Sequence, residues 1–328
     1  MKVNDKIMNW LLEDNNPSVR YYTMKYLLGV DVDSTDLIQA KKQIMVSQTV
    51  TDILSNQSED GFWGVPDKFY TMKYKGTVWQ LMILAELGAD PEDDRIHRAC
   101  EFILNMSQNV ESGGFSTEHG KKTNAGLSSK VIPCLTGNIT WALIKLGYLN
   151  DDRVQASIDW IVKNQRADDG NKPKLPDWAY ENHVACFSSH TCFMGVVKSL
   201  KALSAIPKEM RSDAVTAKID ELVEFILIHH IHKRSHDLNK DSKSGWKRLG
   251  FPLMYQTDIL EILTILVDLD VKDERMNEAM MVLRSKQLSE GSWKLENTYN
   301  GKFIVDIETK GEPSKWLTFK ALYVLNKE

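Results

Sequence analysis

One short phrase recurs along this chain. "SNQSEDGFWG" sets Gln57, Gly61 and Trp63 in order, "MSQNVESGGFS" sets Gln108, Gly113 and Phe115, "KNQRADDG" sets Gln165 and Gly170, and "SKQLSEGSW" sets Gln287, Gly291 and Trp293. The first three glutamines stand 51 and 57 residues apart, and the gap of 122 before Gln287 holds a degenerate copy, "ELVEFILIHH", with His230 in the glutamine position. Self-similarity at such a period marks an array whose units cannot bury their apolar faces alone and do so against their neighbours. The expectation is one continuous domain over residues 1–328, made of at least five units of roughly sixty residues.

A second marker keeps the same beat. "YLLG", "AELG" and "IKLG" end at Gly29, Gly88 and Gly147, spaced by 59 residues, and Leu203, Leu269 and Leu325 close three more segments of this kind. The segments have helical periodicity: Val78, Leu81, Met82 and Ala85 fall at i, i+3, i+4 and i+7. The glycine suits a left-handed helix end, and the acids in "DPEDD" and "NDDRV" suit the first turn of the next helix. Six such helices are apolar over most of their circumference, as inner helices should be, and a second set of five carries the charge expected of outer ones. Strand signals are nearly absent. "GKFIVDIE" (301–308) reads as a short hairpin or extended loop.

Composition narrows the partners. A net charge of −4 without a basic stripe speaks against nucleic acid. Nine Trp, ten Tyr and ten Phe supply rings for a core or a pocket. The N-terminal sequence has no signal-peptide core, no stretch is long and apolar enough to span a membrane, and four cysteines fit a reducing compartment, so a cytoplasmic location is expected.

The phrase itself, Gln-x(3)-Gly-x-Trp behind an apolar helix, resembles the QW motif of squalene-hopene and oxidosqualene cyclases, which are related to the repeats of protein prenyltransferase β subunits. The resemblance runs from about residue 15 to the C-terminus. It implies an all-α fold, an α/α toroid of about six inner and five to six outer helices in ~60-residue repeats. The Gln, Gly and aromatic would then be struts between units, not chemistry. A second subunit, which prenyltransferase β subunits require, is an open expectation.

Such a toroid would enclose a pocket at the N-terminal ends of its inner helices, and aromatic-rich concave sites are where ligands bind. Tyr70, Tyr74, Trp79, Trp141, Tyr255 and Trp316 stand at those ends as candidate ligand contacts, with Arg20 and Lys73 as cations for an anionic group. "HVACFSSHTCF" holds His183, Cys186, His190 and Cys192, and Cys134 opens the preceding inner helix. Thiolates and imidazoles in one place suit zinc. His190-Thr191-Cys192-Phe193 also resembles the stretch where protein prenyltransferases place a zinc-ligating His. The alternative is that Cys134 and Cys192 are small core residues. The Asp-x-Asp-Asp acid of triterpene cyclases is missing, and Asp258, near the start of an apolar inner helix, is the substitute candidate for a catalytic acid, against a plain role at the helix start. "HHIHKRSH" (229–236) ends an outer helix and is expected on the surface.

The leading expectation is a terpene-cyclase- or prenyltransferase-like protein that acts on or binds a hydrophobic, isoprenoid ligand in an aromatic-lined pocket. The alternatives are a zinc-dependent toroid of other chemistry, as in lanthionine cyclases, and a non-catalytic binding or scaffold toroid.

Overall fold

All six Leu-Gly-type segments are helices in the computed structural model, which describes residues 4–169, 186 and 191–328. In chain order the helices are α1 (Asp5–Leu11), α2 (Pro17–Tyr22, continuing as a π-helix over Thr23–Leu27), α3 (Thr35–Met45), α4 (Gln48–Ser55), α5 (Thr77–Leu87), α6 (Asp94–Ser107), α7 (Pro133–Lys145), α8 (Asp152–Asn164), α9 (Phe193–Ser204), α10 (Asp213–Ile228), α11 (Ile259–Asp268), α12 (Asn277–Ser285) and α13 (Lys315–Lys327). The inner set is α2, α5, α7, α9, α11 and α13. Along it, α5 packs on α7, α7 on α9, α9 on α11, α11 on α13, and α13 returns to α2. The Tyr22 hydroxyl against Gly88, just past α5, completes the circuit of an all-α toroid.

Burial follows from this plan. In α5 every residue but Glu86 is buried, because the helix has the axis on one side and outer helices on the other. Outer helices such as α6 bury one stripe, Ile96, Ala99, Cys100, Ile103, Leu104 and Ser107, and leave the rest half-buried or exposed.

The recurring phrase is a strut, and its chemistry repeats. Gln57 Nε2 donates to the Gly61 carbonyl (3.1 Å) and to the Arg95 carbonyl in the next outer helix (2.9 Å). Gln108 does the same with Gly113 (2.9 Å) and Arg153 (2.6 Å). The glycine is required because a Cβ at Gly61 would meet the Arg98 carbonyl oxygen at 2.4 Å and one at Gly113 the Ala156 oxygen at 2.4 Å, each at positive φ. The aromatic residue then turns inward. The backbone amides of Trp63, Phe115 and Trp293 each donate to a buried inner-helix threonine, Thr77, Thr136 and Thr318, all at 3.0 Å. The indoles of Trp63 and Trp293 donate back to Ile53 and Leu283.

Ring closure uses a helix outside the recognisable repeats. Gly291 packs against Ile7 of α1, as Gly61 and Gly113 pack on α6 and α8, so the N-terminal helix fills the sixth outer position. Lys315, at the start of α13, fastens this joint by donating to Glu13 (2.8 Å) and Asn15 (2.5 Å).

Among the described residues, strands are confined to three short antiparallel pairs. Residues 301–308 form none, lying in a loop that packs over one end of the ring. No helix is long and apolar enough to cross a membrane, among the described residues.

Candidate functional site

The six inner helices share one cavity, of about 370 Å³, on the toroid axis. It lies toward their C-terminal halves, not at the N-terminal ends where the sequence suggested a pocket. Each inner helix contributes: Tyr22 and Tyr26 from the first, Glu86 from α5, Trp141 and Lys145 from α7, Lys201 from α9, Glu261 and Asp268 from α11, and Trp316, Phe319, Lys320 and Tyr323 from α13.

One wall is aromatic. The π-helical turn, with its Leu28 N–H to Thr23 carbonyl bond, lets Tyr22 and Tyr26 stack at 6.0 Å. Tyr22 also stacks on Phe319 (5.9 Å) and tilts against Trp316 (5.8 Å), and Tyr26 meets the edge of Tyr323 (5.6 Å).

The opposite wall and floor are ionic. Lys198, wholly buried behind the cavity, donates to both Glu261 oxygens at 2.8 and 2.6 Å. Lys201 bridges Glu261 (3.1 Å) and Glu86 (3.3 Å) with its ammonium 3.8 Å from the centre of the Trp141 ring. Lys320 donates to the other Glu86 oxygen and lies over Trp316 (5.8 Å). Burial pushes both carboxyls upward, but the flanking lysines outweigh it. Glu86 is held well below the usual carboxylate range and Glu261 falls to about 2. Burial lowers the Lys198 ammonium, whereas for Lys201 its two glutamates outweigh burial and raise it. At the mouth, Tyr323 donates to Asp268 at 2.5 Å, and burial raises that carboxyl.

Of the residues expected from sequence, Trp141 and Trp316 line this cavity. Tyr70, Tyr74, Trp79 and Tyr255 come together elsewhere, at the N-terminal end of the inner helices. There Tyr70 stacks on Trp79 (5.7 Å), Tyr255 meets Trp79 edge-on (6.1 Å) and Tyr74 stacks on Tyr299 (4.2 Å), with Phe303 beside it. Tyr299 and Phe303 belong to the loop before α13. Arg20 faces away from the axis and pairs with Asp14, while Lys73 is an exposed turn residue with φ of 49°.

Asp258 is the N-cap of α11: its oxygens accept from the Glu261 amide (2.9 Å) and the Gly250 amide (2.8 Å). Burial pushes it up to about 6, the two amides offsetting part of the rise. Both oxygens are committed to backbone, and the residue does not line the axial cavity.

Three of the cysteines converge. Cys134, the second residue of α7, and Cys192, the N-cap of α9, face Cys186, whose thiol hydrogen-bonds with Cys192. Burial pushes Cys134 up to about 12, and the Cys186 bond with the amides of Gly195 and Met194 holds Cys192 low. His183 and His190 lie outside the described residues. Among the described residues no group of three or more His, Cys, Asp or Glu is placed to hold a metal.

The 229–236 run is not a surface tract throughout. His229 and His232 are buried, at 5% and 1% exposure, because the chain after α10 turns back as a hairpin over them. His229 Nδ1 lies 2.7 Å from the Phe225 carbonyl, and neither His232 nitrogen has a hydrogen-bond partner.

The ionic floor was not read from sequence. Its signal was there, as charged residues interrupting the apolar inner helices: Glu86, Lys198, Lys201, Glu261 and Lys320.

Residues 32–176 match the family model of the squalene-hopene cyclase C-terminal domain. No curated protein matches the chain. Among solved structures, the type II terpene cyclase MstE from Scytonema in its apo form is similar at 13% identity over 97% of both chains, with a TM-score of 0.43. A variant of MstE in complex with merosterolic acid A gives 14% identity over 99% of both chains and a TM-score of 0.42. A protein from Actinoplanes gives 12% identity over 95% of this chain and 89% of that one, with a TM-score of 0.42. At that distance the structural likeness carries no functional information. The matched segment spans less than half of the chain and carries the Gln57, Gln108 and Gln165 copies of the strut phrase.

Proposed function

We propose that the protein binds a hydrophobic, isoprenoid-class ligand in the axial cavity and does not cyclise it by protonation. The observation that carries this reading is a cavity of about 370 Å³ built by all six inner helices with Tyr22, Tyr26, Trp141, Trp316, Phe319 and Tyr323 in its lining. That volume lies in the range of small-molecule sites, roughly 300–1,000 Å³. Proton-initiated cyclisation needs a carboxylic acid kept protonated near an alkene, and then surroundings that tolerate a carbocation. The floor carboxyls are held ionised by lysines, and ammonium groups would repel a developing cation.

Tryptophan fluorescence titration with farnesol and geranylgeraniol tests the reading, alongside native mass spectrometry of freshly purified protein. The expected result is saturable quenching that weakens by about tenfold in Trp141→Leu, a loss of ~1.4 kcal/mol. No saturable binding of either alcohol, and no apolar ligand carried through purification, would overturn it.

A second reading rests on the three converging thiols: zinc held by Cys134, Cys186, Cys192 and His190, activating a thiol or alcohol. Elemental analysis of untagged protein decides it. About one zinc per chain, lost in Cys134→Ala and His190→Ala, is the supporting outcome, and metal-free protein after expression with added zinc is the opposing one.

A further inference from the structure

We propose that the floor of the axial cavity is an oxyanion site, and that the ligand enters head first, placing a carboxylate or phosphate head on the ammonium groups of Lys201 and Lys320 with its apolar body along the aromatic wall. This deepens the preceding reading and rests on it.

Donor capacity in the floor exceeds acceptor capacity. The ammoniums of Lys198, Lys201 and Lys320 carry nine N–H groups, three each, and no acceptor. Five are accounted for by bonds to Glu86 and Glu261, and every oxygen of those two carboxylates already accepts at least one. The four carboxylate oxygens offer about eight lone-pair sites, so after those five bonds about four N–H donors remain against about three acceptor sites, and a ligand reaching the floor meets an excess of donors. Charge agrees: the cavity lining sets Lys145, Lys201, Lys320 and Lys327 against Glu86, Glu261 and Asp268, one positive charge in excess, while Lys198 behind it is balanced by Glu261 and Asp258.

The negative ends of the inner helices account for part of this excess. Lys145, Lys201 and Lys327 stand in last turns, where a cation offsets the helix dipole. Lys198 and Lys320 do not. They sit in mid-helix, in the low-dielectric part of the ring, where Glu261 and Glu86 neutralise them and leave Lys201, shared between the same two carboxylates, as a third ammonium. Lys201 and Lys320 both line the cavity with partly exposed side chains, 12% and 20%, so their ammoniums are within reach of a ligand. The wall from Tyr22 to Phe319 and Tyr323 leads from this floor to the mouth and offers faces along which an apolar chain can lie.

The test compares three probes with one hydrocarbon chain, farnesol, farnesoic acid and farnesyl phosphate, titrated into the full-length protein at low and moderate salt. The expected result is that an acid binds at least about tenfold more tightly than the alcohol, with an advantage that shrinks as salt rises. Which acid wins identifies the head. Lys320→Met and Lys201→Met should abolish the advantage, costing the acids about tenfold more affinity than they cost farnesol, and Lys320→Arg should retain it. Circular dichroism reports whether each variant folds. If neither Met variant folds, competition by inorganic phosphate against farnesoic acid on the unmodified protein stands in for them. Competition supports the site, and its absence overturns it. Equal binding of alcohol and acids overturns the head-first site while the apolar-ligand reading stands. An acid preference untouched by both Met variants also overturns it. Failure of all three probes removes the reading on which the inference rests.

Discussion

The two ends of the toroid are built by the same six helices and have opposite character. At the N-terminal ends, Tyr70, Tyr74, Trp79 and Tyr255 close on one another, and the loop before α13 adds Tyr299 and Phe303 to the cluster. At the C-terminal ends the rings stack on one side only, as a wall, and the space between the helices is crossed by Lys198, Glu261, Lys201, Glu86 and Lys320. Packed rings exclude a ligand from the space they fill. An ion network holds helices apart at the length of its side chains and leaves room between them. The open, charged end is therefore the one that holds the axial cavity.

The largest expected effect separates the ends by stability. Lys198→Met leaves Glu261 buried with Lys201 as its remaining ion-pair partner, and removing one partner of a buried pair costs about 3–5 kcal/mol. Replacing both, Lys198→Met with Glu261→Leu, removes the stranded charge and should recover most of that loss. Urea midpoints of the two single variants and the double variant measure it. A double variant as unstable as the sum of the singles would mean the network is not what opens this end.

Acid should act on the same end. The Glu261 carboxyl lies at about 2 against an ordinary 4.5, so its stabilisation is complete above about pH 4.5 and is lost as pH falls toward 2. The shift corresponds to stability on the order of 3 kcal/mol. Urea midpoints between pH 6 and pH 3 should fall steeply for the native chain and less steeply for Glu261→Gln. Parallel slopes would move the acid sensitivity elsewhere.

How far each end was legible follows from what a repeat can encode. The struts are legible because Gln, Gly and an aromatic residue recur at most of the places where one unit meets the next, and α5 or α7 can be placed from period alone. Helix α1 was not, because it fills an outer position without carrying the phrase. The rings at the N-terminal ends were found individually, as bulky residues at helix starts. Tyr299 was not, since the loop that carries it has no periodic signal. The ionic floor was hidden for a different reason. Single charges in apolar helices look like exposed faces until the ring closes, and Glu86 and Lys320 meet across 234 residues of sequence. Cys134 and Cys192 are legible as neighbours because α7 and α9 are consecutive inner helices, whereas direction is not legible: Arg20 turns outward to Asp14, and Asp258 takes the plainer of its two readings, as the cap of α11.

The closed end gives a smaller and separable effect. Tyr299→Ala removes the stack on Tyr74 and the hydroxyl bond to Gln256 that holds the loop down. The expected cost is about 2 kcal/mol, part lost packing and part lost ring pairing. Because the cluster is remote from the axial cavity, farnesol affinity should stay within about twofold. Hydrogen exchange should rise across residues 297–308 and not in α13. A large loss of affinity would instead make the aromatic end part of the binding site.

The smallest effect concerns the outer ring, on which both ends depend alike. Asp93, Asp151 and Asp273 repeat one device: each caps the amide of the arginine two residues on and pairs with its guanidinium. Cap and ion pair can be told apart at Asp151. Its partner Arg153 is also held by Glu101 at 2.8 and 2.9 Å, so the arginine stays placed when the aspartate changes. Asp151→Asn keeps an oxygen for the amide and loses the charge, whereas Asp151→Ala loses both. Since exposed ion pairs contribute little and caps about 1 kcal/mol, the alanine should cost about 1 kcal/mol and the asparagine less than half of that. Equal losses would show that the charge, not the cap, carries the joint. Because the device recurs at three of the joints between units, that result would apply around the ring and not at one position.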